Sequence, residues 1–305
     1  MKKLYFLLLT MTAIYFSSCS NSPADKAESA VKSYLKENLK NSNGYDPISF
    51  SKLDTLKNAD TSDVKKISLY VISHSYTITN SDKEKVKMTV RFYLDKDLKV
   101  NHANTKSING NYGSLTGNAY WKYNNYVGNK PDAGATVTLY SLDTIRGNLK
   151  YETSADVQGN YKLEKVLPGK YFLIVRSQNA TDCPERHIQN LQWYSHEIKQ
   201  LLGFDINQYK AQLDEIKSLD STYTAILIDN DYSKYGGLLN KMDKYTSIEK
   251  EMRDKANNLI DMFSKEFIEK IKLYTGYSNA YDFTTIWIEE DNTGNNNTDF
   301  GITCI

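Results

Sequence analysis

Neither sign of charge dominates this chain: 38 lysines and arginines stand against 37 aspartates and glutamates in 305 residues, a net charge of +1. No polybasic surface is advertised, which argues against nucleic acid as a partner. Catalytic signatures are missing too. Gly110 to Gly117 has no Lys-Ser or Lys-Thr after its glycines, so there is no phosphate loop, and no Gly-x-Ser-x-Gly elbow occurs. His196-Glu197-Ile198-Lys199-Gln200 opens like a zinc-protease helix but puts Gln200 where the second histidine ligand must stand. Histidine numbers only four. His74 and His102 have no second ligand at metal spacing, and His187 and His196 do not share a helical repeat. Glu289-Glu290-Asp291 lacks the alternation of a calcium loop and reads as a solvated turn. No acid, base and nucleophile come together, so the expectation is a non-enzyme with no metal and no cofactor.

Cysteine is scarcer still, at three residues: Cys19, Cys183 and Cys304. Lys2 and Lys3 precede the apolar run Leu4 to Ser18, which is too short to span a bilayer and ends in the small pair Ser17 and Ser18 before Cys19. Phe16-Ser17-Ser18-Cys19 resembles the lipobox of a bacterial lipoprotein signal peptide, with Phe16 in place of the usual leucine. The resemblance implies a signal peptide over 1–18, cleavage before Cys19 and acylation of the new N-terminus, with 19–23 as tether. At about 0.8 kcal/mol per buried CH₂, several acyl chains hold a protein on a membrane where one would not. Ser20 is compatible, by the same resemblance, with sorting to the outer membrane. Losing Lys2 and Lys3 leaves 38 − 2 = 36 basic against 37 acidic residues.

From residue 24 to 103 the pattern predicts an α+β domain. Ala27, Ala30, Val31, Tyr34, Leu35 and Leu39 share one helical face, and Asn41, Asn43 and Gly44 stop the helix. Ile48 to Leu56, Ile67 to Thr79 and Val86 to Leu98 alternate with period two, and the last two form a hairpin across Asn80 to Lys85. A single helix laid on an antiparallel sheet buries both apolar faces. His74 and His102 then read as strand residues. The stretch from Ala27 to about Val100 resembles an N-terminal module of small exported lipoproteins. Residues 104–113, rich in Asn, Gly and Ser, read as a linker.

Short strands and tight turns follow: Leu115 to Trp121, Thr136 to Tyr140, Asn160 to Val166 and Tyr171 to Val175. Asp132-Ala133-Gly134-Ala135-Thr136-Val137-Thr138-Leu139 resembles the carboxypeptidase-regulatory-like family, a transthyretin-like sandwich. So does Thr153 to Leu163 followed by Val166-Leu167-Pro168-Gly169-Lys170-Tyr171-Phe172-Leu173-Ile174-Val175. In that pair Gly159 can take the positive φ of a tight turn and Tyr161 points inward. The resemblance implies a closing strand pair, expected late, as strand Phe283 to Glu289, polar turn Asp291 to Asn297 and strand Thr298 to Ile305. The sandwich would therefore comprise 114–185 plus 281–305, interrupted by 186–280.

The interruption is helical. Leu191, Tyr194, Ile198, Leu201 and Leu202 mark one face, and Leu238, Met242, Tyr245, Met252, Leu259, Phe263, Phe267, Ile271 and Tyr274 another. A helix over 238–274 would run roughly 55 Å at ~1.5 Å per residue and needs a helical partner, which 186–220 supplies as an antiparallel hairpin. Cys183 and Cys304 would then flank the insertion's departure and the chain's end, as a disulfide pair or as two separate thiols. Tyr120, Trp121, Tyr123 and Tyr126 cluster with Lys122 and are the candidate ligand-binding residues, against the plainer reading of tyrosine suited to strand surfaces. The sum is a non-enzymatic outer-membrane lipoprotein, bound to the membrane through its anchor, with a binding or scaffolding role toward an envelope protein; the alternatives are a carbohydrate-binding accessory of a glycan-uptake system and, behind it, a hydrolase with an unrecognised site.

Overall fold

The computed structural model describes residues 22–56, 68–105, 107–124, 126–143, 149–228, 235–271 and 278–302. Cys19, Cys304 and Tyr274 lie outside them, as do the turn expected at the tip of the helical insertion and the side chain of Leu238. The chain divides between Asn111 and Tyr112 into two compact units.

In the first unit, helix α1 (Pro23–Asn38) starts on a capping box. Ser22 Oγ accepts from the Asp25 N–H at 3.2 Å and the Asp25 carboxylate accepts from the Ser22 N–H at 2.9 Å, satisfying two backbone donors that no helical carbonyl reaches. The sheet comprises β1 (Asp46–Phe50), β2 (Asp54–Thr55), β3 (Tyr70–Thr79), β4 (Lys85–Leu94) and β5 (Val100–Ala103), ordered β1-β3-β4-β5 with β2 also on β3. Period two decides its inner face: Ile72, His74, Tyr76 and Ile78 alternate inward on β3, as do Met88, Val90, Phe92 and Leu94 on β4. Ala27, Val31 and Leu35 of α1 are buried, and Tyr34 meets Phe92 edge-on at 5.9 Å.

The division falls within the stretch expected as a linker, 104–113, and the part before it packs on the first unit. Ile108 is buried, Tyr76 Oη donates to its carbonyl at 2.8 Å, and the Ser81 N–H donates to Asn111 Oδ1 at 2.8 Å. Polar residues there satisfy the β3–β4 turn. His74, fully buried, is held between Tyr45 Oη at 2.8 Å and the Ser49 carbonyl at 2.9 Å.

The second unit is built on two sheets. One contains β6 (Gly113–Lys122), β7 (Asn129–Pro131), β10 (Asn160–Val166) and β13 (Thr293–Ile302), ordered β10-β6-β13 with β7 on β6. The other is β12-β11-β8-β9, from β8 (Thr136–Ser141), β9 (Lys150–Ser154), β11 (Gly169–Asp182) and β12 (Ser278–Ile288). Leu115, Tyr161 and Phe300 of the first sheet share a core with Val137, Leu139, Tyr171, Leu173 and Val175 of the second. Gly159 takes φ +80° at its turn.

The polar turn expected over 291–297 is also corrected: β13 begins at Thr293 and runs parallel to β6, Asn296 opposite Gly117. The asparagines pass for a turn, but in the strand they are satisfied. Asn297 Oδ1 accepts from the Asn118 N–H at 3.1 Å, and Asn296 Nδ2 donates to Tyr161 Oη at 3.2 Å.

Between β11 and β12 the described residues form five helices: α2 (Pro184–Trp193), α3 (Ser195–Leu202), α4 (Lys210–Ile228), α5 (Tyr235–Asp261) and α6 (Lys265–Ile271). Tyr171-Phe172-Leu173-Ile174-Val175 is continuously apolar because both of its faces are buried. Phe172, with Tyr281 and Phe283 of β12, joins a second core made with Ile188, Leu191, Ile198, Leu259 and Phe263 of the helical segment. α2 packs on β12, and α4 and α5 pack on each other and, through α5, on α2. α4 and α5 run antiparallel, with Lys255 Nζ 3.2 Å from the Glu215 carboxylate.

A continuous helix over 238–274 is not found. Ser264 Oγ accepts from the Phe267 N–H at 3.2 Å, capping α6 and breaking the run, so that Phe263 and Phe267 both reach Phe204. On the partner side, Gly203 at φ +70° ends α3.

Candidate functional site

A trough of about 850 Å³ lies between α2, α4 and α5 of the second unit. Each helix contributes one stripe: Glu185, Ile188, Gln189, Gln192 and Trp193 from α2, Leu213, Ile216, Lys217 and Asp220 from α4, and Tyr245, Glu249, Met252 and Arg253 from α5. These spacings put each set on a single helical face. Ile188, Leu213, Ile216 and Met252 are buried and make an apolar floor. Charged and aromatic groups make the walls, and Trp193 stands 69% exposed at the rim.

Among the described residues, three of the six charged wall residues are ion-paired. Arg186 lies 2.8 Å from Asp182 and Arg253 lies 2.9 Å from Glu249. The Tyr223 and Tyr245 hydroxyls bond each other across α4 and α5, with rings stacked at 4.4 Å. Glu185 differs. Its Oε2 is shut from solvent with no hydrogen-bond partner among the described residues. Burial pushes its carboxyl above the usual range, against the pull of its own backbone N–H and of Arg253.

The root of α2 is tightly determined. Cys183 occupies the N-cap, lines the trough and is disulfide-bonded. Its partner lies outside the described residues. Next to it, burial pushes Asp182 up to about 6 despite Arg186. His187 faces away from the trough, fully buried, stacked on Tyr281 at 4.6 Å, and burial lowers it to about 3, with Arg186 adding to the effect.

The aromatic residues singled out in the sequence do not form one site. Trp121 and Tyr123 meet edge-on at 6.4 Å, with Lys130 Nζ 5.9 Å and 5.7 Å from their rings. Trp121 also packs on the sandwich core. Tyr120 is on the opposite face of β6. Tyr126 is 98% exposed in the following turn, its N–H bonded to Asn124 Oδ1 at 3.0 Å. His196 is exposed on α3, and among the described residues no three His, Cys, Asp or Glu side chains group to hold a metal.

The trough itself was not anticipated. α2 carries two stripes, and the apolar one through Leu191, which faces the core, hides the second one through Ile188 and Trp193. A solvent-exposed tryptophan one turn beyond buried Ile188 is the signal that could have exposed it.

No protein-family model matches the chain, so neither the lipoprotein nor the carboxypeptidase-regulatory-like resemblance gains a family assignment. No curated protein matches it either. Among solved structures it is similar to GBS52, the minor pilin of Streptococcus agalactiae, with 10% identity, a TM-score of 0.31 and coverage of 85% of this chain and 86% of that one. It is also similar to a candidate carbohydrate-binding protein of Pseudomonas aeruginosa, with 14% identity and a TM-score of 0.18, over 22% of this chain and 64% of that one, just under two thirds of its length. Likenesses this distant carry no argument about function. Among the described residues no helix is long and apolar enough to cross a membrane.

Proposed function

We propose that this chain is an exported lipoprotein, tethered to the outer membrane through acylated Cys19, that acts without catalysis as a binding protein for a protein partner of the cell envelope. The trough between α2, α4 and α5 carries this reading: a concave surface with an apolar floor and a polar, aromatic rim is the form of a recognition site.

A second reading rests on the Trp121, Tyr123 and Lys130 cluster. Two half-open rings beside a cation could stack on a sugar, so the alternative is a carbohydrate-binding accessory of a glycan-uptake system.

A photo-reactive amino acid placed at Gln192 tests the first reading in intact cells. It should yield a discrete protein adduct in the membrane fraction, and Trp193→Ala should diminish that adduct. No adduct from Gln192, together with glycan-array binding that Trp121→Ala abolishes, would replace the first reading with the second. Cys19→Ser should abolish labelling by palmitate; label retained would remove the anchor.

A further inference from the structure

The trough's charge balance identifies what its occupant must bring. Arg186 lies 2.8 Å from Asp182 and Arg253 lies 2.9 Å from Glu249. Glu185 has no ion pair among the described residues and one oxygen sealed in without a donor, although Arg253 and Arg186 act on it at longer range. A half-buried carboxylate in that position gains most from a cation that arrives with its own cover from water. Glu185 stands one turn from Ile188 on the same stripe, so a cation reaching it leaves neighbouring apolar groups over the floor.

We propose that the trough receives an amphipathic segment of a partner protein that sets a lysine or arginine against Glu185 and apolar side chains over Ile188, Leu213, Ile216 and Met252. This rests on the trough being the protein-binding site, and it names the chemistry of the partner. Three helices each present one stripe at three-four spacing, the surface on which a short amphipathic helix seats. An acidic segment is disfavoured by Glu185 at the trough's root.

The test uses the whole chain and three amidated fourteen-residue peptides. They share a leucine stripe at helical spacing and carry lysine, glutamine or glutamate at the position one turn before it. Titration calorimetry at low salt should show the lysine peptide binding most tightly. Glu185→Gln should weaken that peptide by at least about tenfold, as loss of a hydrogen bond to a charged group does, and leave the glutamine peptide unchanged. Glu185→Asp should retain the lysine preference, which separates lost charge from a disturbed fold. Equal binding of the lysine and glutamate peptides, or no effect of Glu185→Gln, overturns the cation assignment while leaving a protein-binding trough. Failure of all three peptides at millimolar concentration overturns the assignment too, and the absence of a Gln192 adduct would then remove the protein-binding reading with it.

Discussion

Removing the carboxylate of Asp132 should disturb the second unit more than most single changes. Asp132 is fully buried between β7 and β8. Its Oδ2 accepts from Ser177 Oγ, and its Oδ1 accepts from the Gln178 N–H at 3.2 Å, the Asn179 N–H at 3.1 Å and Asn179 Nδ2 at 2.6 Å. These groups form the irregularity at which β11 slips its register on β12, between Arg176 and Thr181, before the chain reaches Cys183 and α2. In Asp132→Ala, the Asn179 N–H keeps Ser177 Oγ at 3.1 Å and its side chain keeps the Ala133 carbonyl at 3.3 Å. The Gln178 N–H and the Ser177 hydroxyl proton lose their acceptor. Two stranded donors at about 1–3 kcal/mol each, plus the lost charge assistance, give a cost of about 3–5 kcal/mol. For a unit spanning Tyr112–Ile305, that corresponds to roughly 6–20 °C in midpoint by scanning calorimetry. Asp132→Asn should cost less, because one acceptor oxygen survives. A loss below about 1 kcal/mol for Asp132→Ala would refute the assignment of this carboxylate as the clamp of β11. If the clamp is real, hydrogen exchange at Gln178 and Asn179 should accelerate before that of the β8 ladder.

His187 supplies a pH test: its folded value of about 3 lies below the ordinary 6.5, so the unfolded chain takes up the proton first and stability is lost as pH falls below 6.5. Asp182, raised to about 6, works the other way and gains stability as pH falls through 6 toward 3.8, so the two oppose each other across that window. The stability difference between wild type and His187→Phe should therefore move against the wild type by about 2 kcal/mol from pH 7 to pH 5 in urea titrations, and a flat difference would contradict the burial argument. Gly117→Ala would put a Cβ 1.8 Å from the Asn296 carbonyl and 2.4 Å from the Tyr161 ring, and should cost about 3 kcal/mol or unpair β13 from β6; an unchanged midpoint would show that the strands part easily. Peptide mapping without reductant should recover Cys183 joined to Cys304, since Gly301 of β13 already lines a cavity with Asp182; reduction should lower stability by about 4 kcal/mol in the chain-entropy model, and a Cys183 peptide joined to Cys19 would remove both the pairing and the anchor.

What the sequence disclosed and what it hid follow one physical division. Elements whose pattern comes from a single burying surface were readable: α1 by its three-four spacing, β3 and β4 by alternation, the Gly159 turn by its positive φ. Elements facing two environments were misread or half-read. β11 is apolar on both faces because the sandwich takes Tyr171, Leu173 and Val175 while the helices take Phe172, so the run showed a strand without showing that something must cover its far side. Asn295, Asn296 and Asn297 signalled a turn by composition, yet Gly117 on the facing strand lets Asn296 approach and Tyr161 lie across it, a tertiary fact no local window contains. The trough belongs to the same class: its three stripes are separated by tens of residues, and their apolar members Ile188, Leu213, Ile216 and Met252 serve both the helical core and the trough floor. A second stripe on an already buried helix is therefore the feature to search for in such insertions. Here its apolar half finds Met252, Leu213 and Ile216, while its charged half leaves one oxygen of Glu185 shut from solvent without a donor, a position that a cationic ligand would complete.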